Sequence, residues 1–203
     1  MLGYWNKSVY ITYFGAFIAV LGLLITIKTG DINYSFVGMI IAGVCDMFDG
    51  KIARSIPNRK DDEKNFGVEI DSLADVICFI TVPAITLYVY GMQEVYQIIL
   101  LALYVVCGIV RLAYFNVKMS DKDKAIEYYQ GLPVPVSVVI FGLVWLMTKV
   151  WSFNYVFIYT LLVPIVGLLH ISTIKIKKVT DTWFYVLICT IAVIGIVLGL
   201  FIF

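Results

Sequence analysis

The sequence is short of charge. Lys, Arg, Asp and Glu supply 14% of its 203 residues, where about 25% is usual for a soluble domain. So little charge beside so much apolar surface excludes a basic nucleic-acid-binding module, and no nucleic-acid partner is expected; the net charge of +1 by itself says nothing about a partner. With 62% hydrophobic residues, a disordered chain is excluded as well. Cysteine is limited to Cys45, Cys78, Cys107 and Cys189, all inside apolar runs and without C-x-x-C spacing. That excludes a disulfide-stapled secreted domain and reads as small buried residues. No repeat with a period of roughly 20–50 residues is present, and no low-complexity segment, so residues 1–203 read as a single domain.

What is abundant is apolar length. Mean hydropathy is +0.95. Apolar runs fall at about 9–28, 33–55, 67–91, 94–118, 132–150, 153–173 and 181–203. A span needs about 20 residues, so seven would use about 140 and leave little for any other domain. The expected fold is all-α: a polytopic transmembrane helical bundle of about seven spans. The first run is too long for a signal-peptide core and no small-residue cleavage site follows, so it is expected to be a retained span. Pro83 and Pro164 are expected to kink or shorten their spans.

The links carry asymmetric charge. Lys7, Arg59, Lys60, Lys64, Lys118, Lys122, Lys124, Lys175, Lys177 and Lys178 fall on one side, and only Lys28 and Lys149 on the other. The positive-inside rule makes the heavy side cytoplasmic, with the N-terminus inside. The expected location is the cell membrane.

Ionisable residues within spans are costly and point to function. The second run holds Asp46, Asp49, Lys51 and Arg54, the third Glu69, Asp71 and Asp75, and the fourth Arg111. Counting from the span ends at 1.5 Å per residue, Asp49 and Arg111 lie about 10 Å deep and Asp75 about 12 Å. All share one shallow layer under the cytoplasmic headgroups. A transport pathway would carry polar groups across the whole thickness, which argues against a divalent-cation transporter using the same carboxylates.

Asp46 and Asp49 are spaced i, i+3, and Asp71 and Asp75 i, i+4, so each pair shares a helical stripe. On adjacent antiparallel helices the four can converge. They cannot all stay ionised in low dielectric without compensation, and one or two divalent cations would supply it. All-oxygen ligation suits Mg²⁺, Mn²⁺ or Ca²⁺ rather than zinc or copper. The single His170 lies near the end of the sixth span and reads as an ordinary interfacial histidine. Gly50, Ala53 and Gly67 allow close approach of a ligand, and Arg54 offers a fork suited to phosphate. Together they suggest a diphosphate ligand.

Residues 46–75 read DMFDGKIARSIPNRKDDEKNFGVEIDSLAD. This matches D-x-x-D-G-x-x-A-R, a linker, then G-x-x-x-D-x-x-x-D, fixing Asp46, Asp49, Gly50, Ala53, Arg54, Gly67, Asp71 and Asp75. It resembles the signature of the CDP-alcohol phosphatidyltransferase family, with a longer linker than is usual there. Three stretches, NFGVEIDSLAD at 65–75, RLAYFNV at 111–117 and QGLPVPVSV at 130–138, are similar to the integral-membrane phosphatidylserine synthase branch. Tyr114 stands where that branch usually carries a second basic residue.

The resemblance implies a six-span family core plus a C-terminal span. It implies transfer of a phosphatidyl or archaetidyl group from a CDP-linked lipid to the hydroxyl of L-serine, releasing CMP, by metal-assisted direct attack. The active site would face the cytoplasm. Asp46, Asp49 and Asp71 would hold Mg²⁺ or Mn²⁺, or Ca²⁺ as a bound ion, and Asp75 would be general base, touching a metal as well. Gly50, Ala53, Arg54 and Gly67 would line the site for the CDP-diacylglycerol-type lipid. Arg111 would hold the serine carboxylate or the lipid phosphate and Glu69 the serine ammonium; the alternative for these two is a structural ion pair between helices. Glycerol phosphate or inositol phosphate is the alternative acceptor. Gly195 with Gly199, and Gly15 with Ala19, offer either a homodimer face or packing within one chain.

Overall fold

The computed structural model describes residues 3–5, 7–119, 128–151, 154–177 and 195. Helices α1 (Lys7–Thr29) and α2 (Asn33–Ser55) form a hairpin. Gly30, at φ +77°, supplies the left-handed residue that ends α1. Thr26 then ties the turn: its hydroxyl donates to the Asp31 carbonyl (2.8 Å) and accepts the Ser35 N–H (3.0 Å). The two helices touch backbone to backbone. A Cβ on Gly22 would collide with the Tyr34 carbonyl, one on Gly38 would lie 2.8 Å from the Ile18 carbonyl, and one on Gly15 would lie 3.0 Å from Cys45 Cβ. Gly15 and the fully buried Ala19 therefore pack within this chain.

One continuous helical rod follows: α3 (Asp61–Asp75), a π-helical segment (Val76–Thr81) and α4 (Val82–Val89). Pro83 explains the π turn. It has no N–H, so the Phe79 carbonyl four residues back has no α-helical donor. The Tyr104 hydroxyl donates to that carbonyl at 2.7 Å, and Ser137 Oγ lies 3.2 Å from it. The proline thus neither ends nor shortens the rod; the backbone absorbs it by widening.

The remaining elements are α5 (Val95–Met119), β1 (Tyr128–Gln130), α6 (Val134–Val150), α7 (Tyr155–His170) and β2 (Lys175–Lys177). The strands pair antiparallel, Tyr128 opposite Lys177 and Gln130 opposite Lys175. This short ribbon is the one described departure from an all-α chain. The Asn154 side chain caps α7 by accepting the Phe157 N–H (3.1 Å), and Pro164 sits inside that helix, which is 16 residues long.

By length and composition, Ser8–Thr29, Asp61–Val89 and Val95–Lys118 are apolar enough to cross a membrane. Helix α2 matches α1 at 23 residues but carries Asp46, Asp49, Lys51 and Arg54 in its second half. The apolar run at 181–203, with Gly199, lies outside the described residues apart from Gly195. Lys122, Lys124 and Lys178 also lie outside them. A Cβ on Gly195 would sit 3.4 Å from Ile40 and 3.7 Å from Leu146, so this glycine faces the chain's own helices.

The core is mostly apolar but also takes in polar side chains, and large apolar residues face outward. Thr26, Ser35, Thr86 and Ser137 are fully buried, whereas Phe17, Leu103 and Leu168 are exposed. Trp145 anchors α6 to the start of α2: it stacks on Phe36 (5.0 Å) and donates to Asn33 Oδ1 (3.1 Å). Such bonds matter because apolar burial gives no drive for helix association in lipid.

Candidate functional site

The site lies at the end of the bundle where α2 passes into α3. Asp46 and Asp49 sit one turn apart on α2, and α3 returns Asp71 beside them. Their carboxylate oxygens lie within 4.8 Å of one another. Asp75, one turn further along α3 and buried, lines the same cleft. Helix α1 adds Thr12, whose hydroxyl donates to Asp49 Oδ2 at 2.7 Å.

Among the described residues no Lys or Arg forms an ion pair with any of these four aspartates. Two ionised carboxylates 4.8 Å apart repel by about 3.5 kcal/mol at an effective dielectric of about 20. A divalent cation removes that cost, and a purely carboxylate donor set suits a hard cation. The residues present therefore fit a divalent metal.

A cavity of about 200 Å³ adjoins the cluster and shares Thr12, Asp49 and Asp71 with it. Gly50, Ala53, Arg54 and Gly67 all line it. The structure thus brings together every residue of the 46–75 signature, the carboxylates around one cleft and the small residues around the cavity beside it. Arg59 and Lys64 also line the cavity. Glu69 is exposed and Arg111 is buried on α5 with its guanidinium over the Phe115 ring (5.0 Å); neither lines the cleft or the cavity.

The other two motifs act as supports. From RLAYFNV, Asn116 Nδ2 donates to Ser72 Oγ at 2.8 Å, fixing α5 to the residue after Asp71, and Tyr114 donates to Gln130 Oε1. From QGLPVPVSV, Gly131 at φ +75° lies against the end of α7, where a Cβ would be 2.5 Å from the His170 carbonyl. The Leu132 N–H donates to the Leu169 carbonyl (2.9 Å), and His170 Nδ1 donates to the Leu132 carbonyl (3.0 Å). His170, in the last turn of α7, is fully buried and serves to hold this loop.

Sequence reasoning missed Thr12, Arg59, Tyr104 and the Ser72–Asn116 pair. Thr12 sits in an unremarked apolar run and Arg59 in a charged link. Only the tertiary fold places either beside the signature.

Residues 5–168 match the family model described as CDP-alcohol phosphatidyltransferase. The chain is 35% identical over 117 residues to the CDP-diacylglycerol–serine O-phosphatidyltransferase of Saccharomyces cerevisiae, covering 54% of this chain and 41% of that protein. It is 38% identical over 120 residues to the archaetidylserine synthase of Methanothermobacter thermautotrophicus, covering 59% and 48%. It is 30% identical over 152 residues to the CDP-diacylglycerol–serine O-phosphatidyltransferase of Helicobacter pylori, covering 70% and 62%. The chain thus spans about half the length of the relatives it matches.

Proposed function

The chain belongs to the CDP-alcohol phosphatidyltransferase family, and from that premise we propose that it transfers a phosphatidyl-type group from a CDP-linked lipid to L-serine, releasing CMP. The observation that carries this reading is the convergence of Asp46, Asp49 and Asp71 beside a cavity lined by Gly50, Ala53, Arg54 and Gly67. Serine as acceptor is supported by the names of the relatives.

Asp46, Asp49 and Asp71 would hold a divalent cation, Mg²⁺ or Mn²⁺, which would supply positive charge against the negative charge that builds on the leaving CMP. Gly50, Ala53 and Gly67 leave room for the CDP portion, and Arg54 faces its phosphates. Asp75 takes the proton of the serine hydroxyl as that oxygen attacks the phosphorus on the lipid side. The bond from this phosphorus to the bridging oxygen breaks, and CMP leaves with that oxygen.

The protein works as an integral membrane enzyme with a six-span core and with its N-terminus and active site facing the cytoplasm. Arg59, Lys60, Lys64, Lys118 and Lys175 at the site end, against Lys28 and Lys149 at the other, support this orientation. The reacting phosphate then stays at headgroup depth while the tails remain in the bilayer.

The test is CMP release by purified protein in detergent with CDP-diacylglycerol and Mn²⁺ or Mg²⁺, with and without serine, and Asp75→Asn as blank. The expected result is serine-dependent release that the blank lacks. Release that glycerol phosphate or inositol phosphate supports and serine does not would keep the reaction and replace the acceptor. No release with either an acyl or an ether CDP-lipid would refute the reading.

A further inference from the structure

We propose that Arg59 is a phosphate ligand of the cavity beside the carboxylate cluster, an assignment that rests on the reading of that cavity as the site for a CDP-linked lipid. Arg59 lies in the link between α2 and α3. The residue before it, Asn58, has φ +56°, the one left-handed non-glycine among the described residues. Asparagine tolerates this conformation better than most side chains. There the link turns back, and Arg59 lines the cavity together with Asp49, Asp71 and Gly67.

The guanidinium is held only by neutral groups. Nη1 donates to the Ala53 carbonyl (3.3 Å) and Nη2 to the Glu63 carbonyl (3.0 Å). Nε is buried without a hydrogen-bond partner, and no carboxylate among the described residues pairs with this side chain. Lys64, by contrast, is engaged by Asp61 at 3.1 Å. A buried donor left unmade is costly, and a guanidinium never loses its charge. Among the described residues Arg59 is therefore a cation without a counter-ion, placed where a bound anion would supply one.

Gly67 makes the room for it. A Cβ there would lie 2.8 Å from Arg59 Nη2, so the missing side chain at this signature position accommodates the guanidinium. The cavity then presents carboxylates that suit a metal and a forked cation without an anion. A ligand with adjacent phosphates satisfies both, and the guanidinium matches phosphate oxygens through paired N–H donors.

The experiment compares CDP and cytidine binding to purified protein in detergent with Mg²⁺, by titration calorimetry and competition, without lipid or serine. The readout is the ratio of the two affinities, which isolates the phosphates. Arg59→Gln removes the charge and keeps one amide nitrogen as a donor. It is expected to lower the ratio roughly tenfold to a hundredfold, with the thermal midpoint of the ligand-free protein unchanged. Arg59→Lys restores part of the ratio. An unchanged ratio in Arg59→Gln would overturn the assignment, as would a loss of CDP and cytidine binding together with a lowered midpoint, which marks a purely structural latch. A wild-type protein that binds CDP no better than cytidine would instead overturn the reading of the cavity on which the assignment rests.

Discussion

The widened turn after Asp75 gives the sharpest test of the packing argument. Pro83 deprives the Phe79 carbonyl of its helical donor, and the Tyr104 hydroxyl replaces it at 2.7 Å. Ser137 cannot serve both neighbours, because its one hydrogen also reaches the Val134 carbonyl at 2.7 Å. Tyr104→Phe should therefore cost about 1–2 kcal/mol and lower the unfolding midpoint by about 2–8 °C. Pro83→Ala returns an N–H. If the π segment then reverts to α, that N–H reaches Phe79, and Tyr104→Phe in this background should become nearly neutral. The coupling between the two substitutions is expected at about 1 kcal/mol. Reversion also rotates α3 against α4 by about 100°, so CMP release should fall in Pro83→Ala even where stability does not. Thermal unfolding in detergent of the wild type, both single variants and the double variant measures the cycle. An equal cost of Tyr104→Phe in both backgrounds would refute the reasoning.

Further outcomes are expected. Thr12→Val removes the donor to Asp49 and should raise the Mg²⁺ or Mn²⁺ concentration for half-maximal CMP release by about tenfold, read by metal titration at fixed substrate. Asp71→Asn removes one carboxylate of the cluster and should lower CMP release by more than about a hundredfold, with the helical circular dichroism signal retained. Gly131→Ala places a methyl group against the His170 carbonyl at a left-handed position; it should cost at least about 1 kcal/mol and lower the unfolding midpoint by about 3 °C or more.

Much of the bundle was legible because apolar run length is a strong signal in a membrane chain. The run at 33–55 coincides with α2, and those at 9–28 and 94–118 differ from α1 and α5 by a residue or two. The third helix begins earlier than its apolar run. Asp61, Asp62 and Glu63 form its first turn, where acidic residues favour the helix N-terminus but read as a charged link. The ribbon at Tyr128–Gln130 and Lys175–Lys177 is too short to announce itself by alternation. At the site, Asp46, Asp49 and Asp71 were readable because their spacing dictates which face they share. Thr12, Arg59 and Tyr104 were not, since each acts on a residue far away in the chain and no local pattern records the contact. The burial of His170 was not legible, because a lone histidine at a helix end carries no sign of the loop that covers it.

The glycine contacts between α1 and α2 also bear on how the protein enters its membrane. Helix α2 carries two aspartates of the site and is not among the helices apolar enough to cross on composition alone. It cannot partition into the bilayer on its own account. Helix α1 can, and Gly22 and Gly38 let the two backbones close on each other without intervening side chains. The carboxylates therefore reach the bilayer as passengers of their neighbour, and a methyl group at Gly22 would act during biogenesis, before any substrate is met.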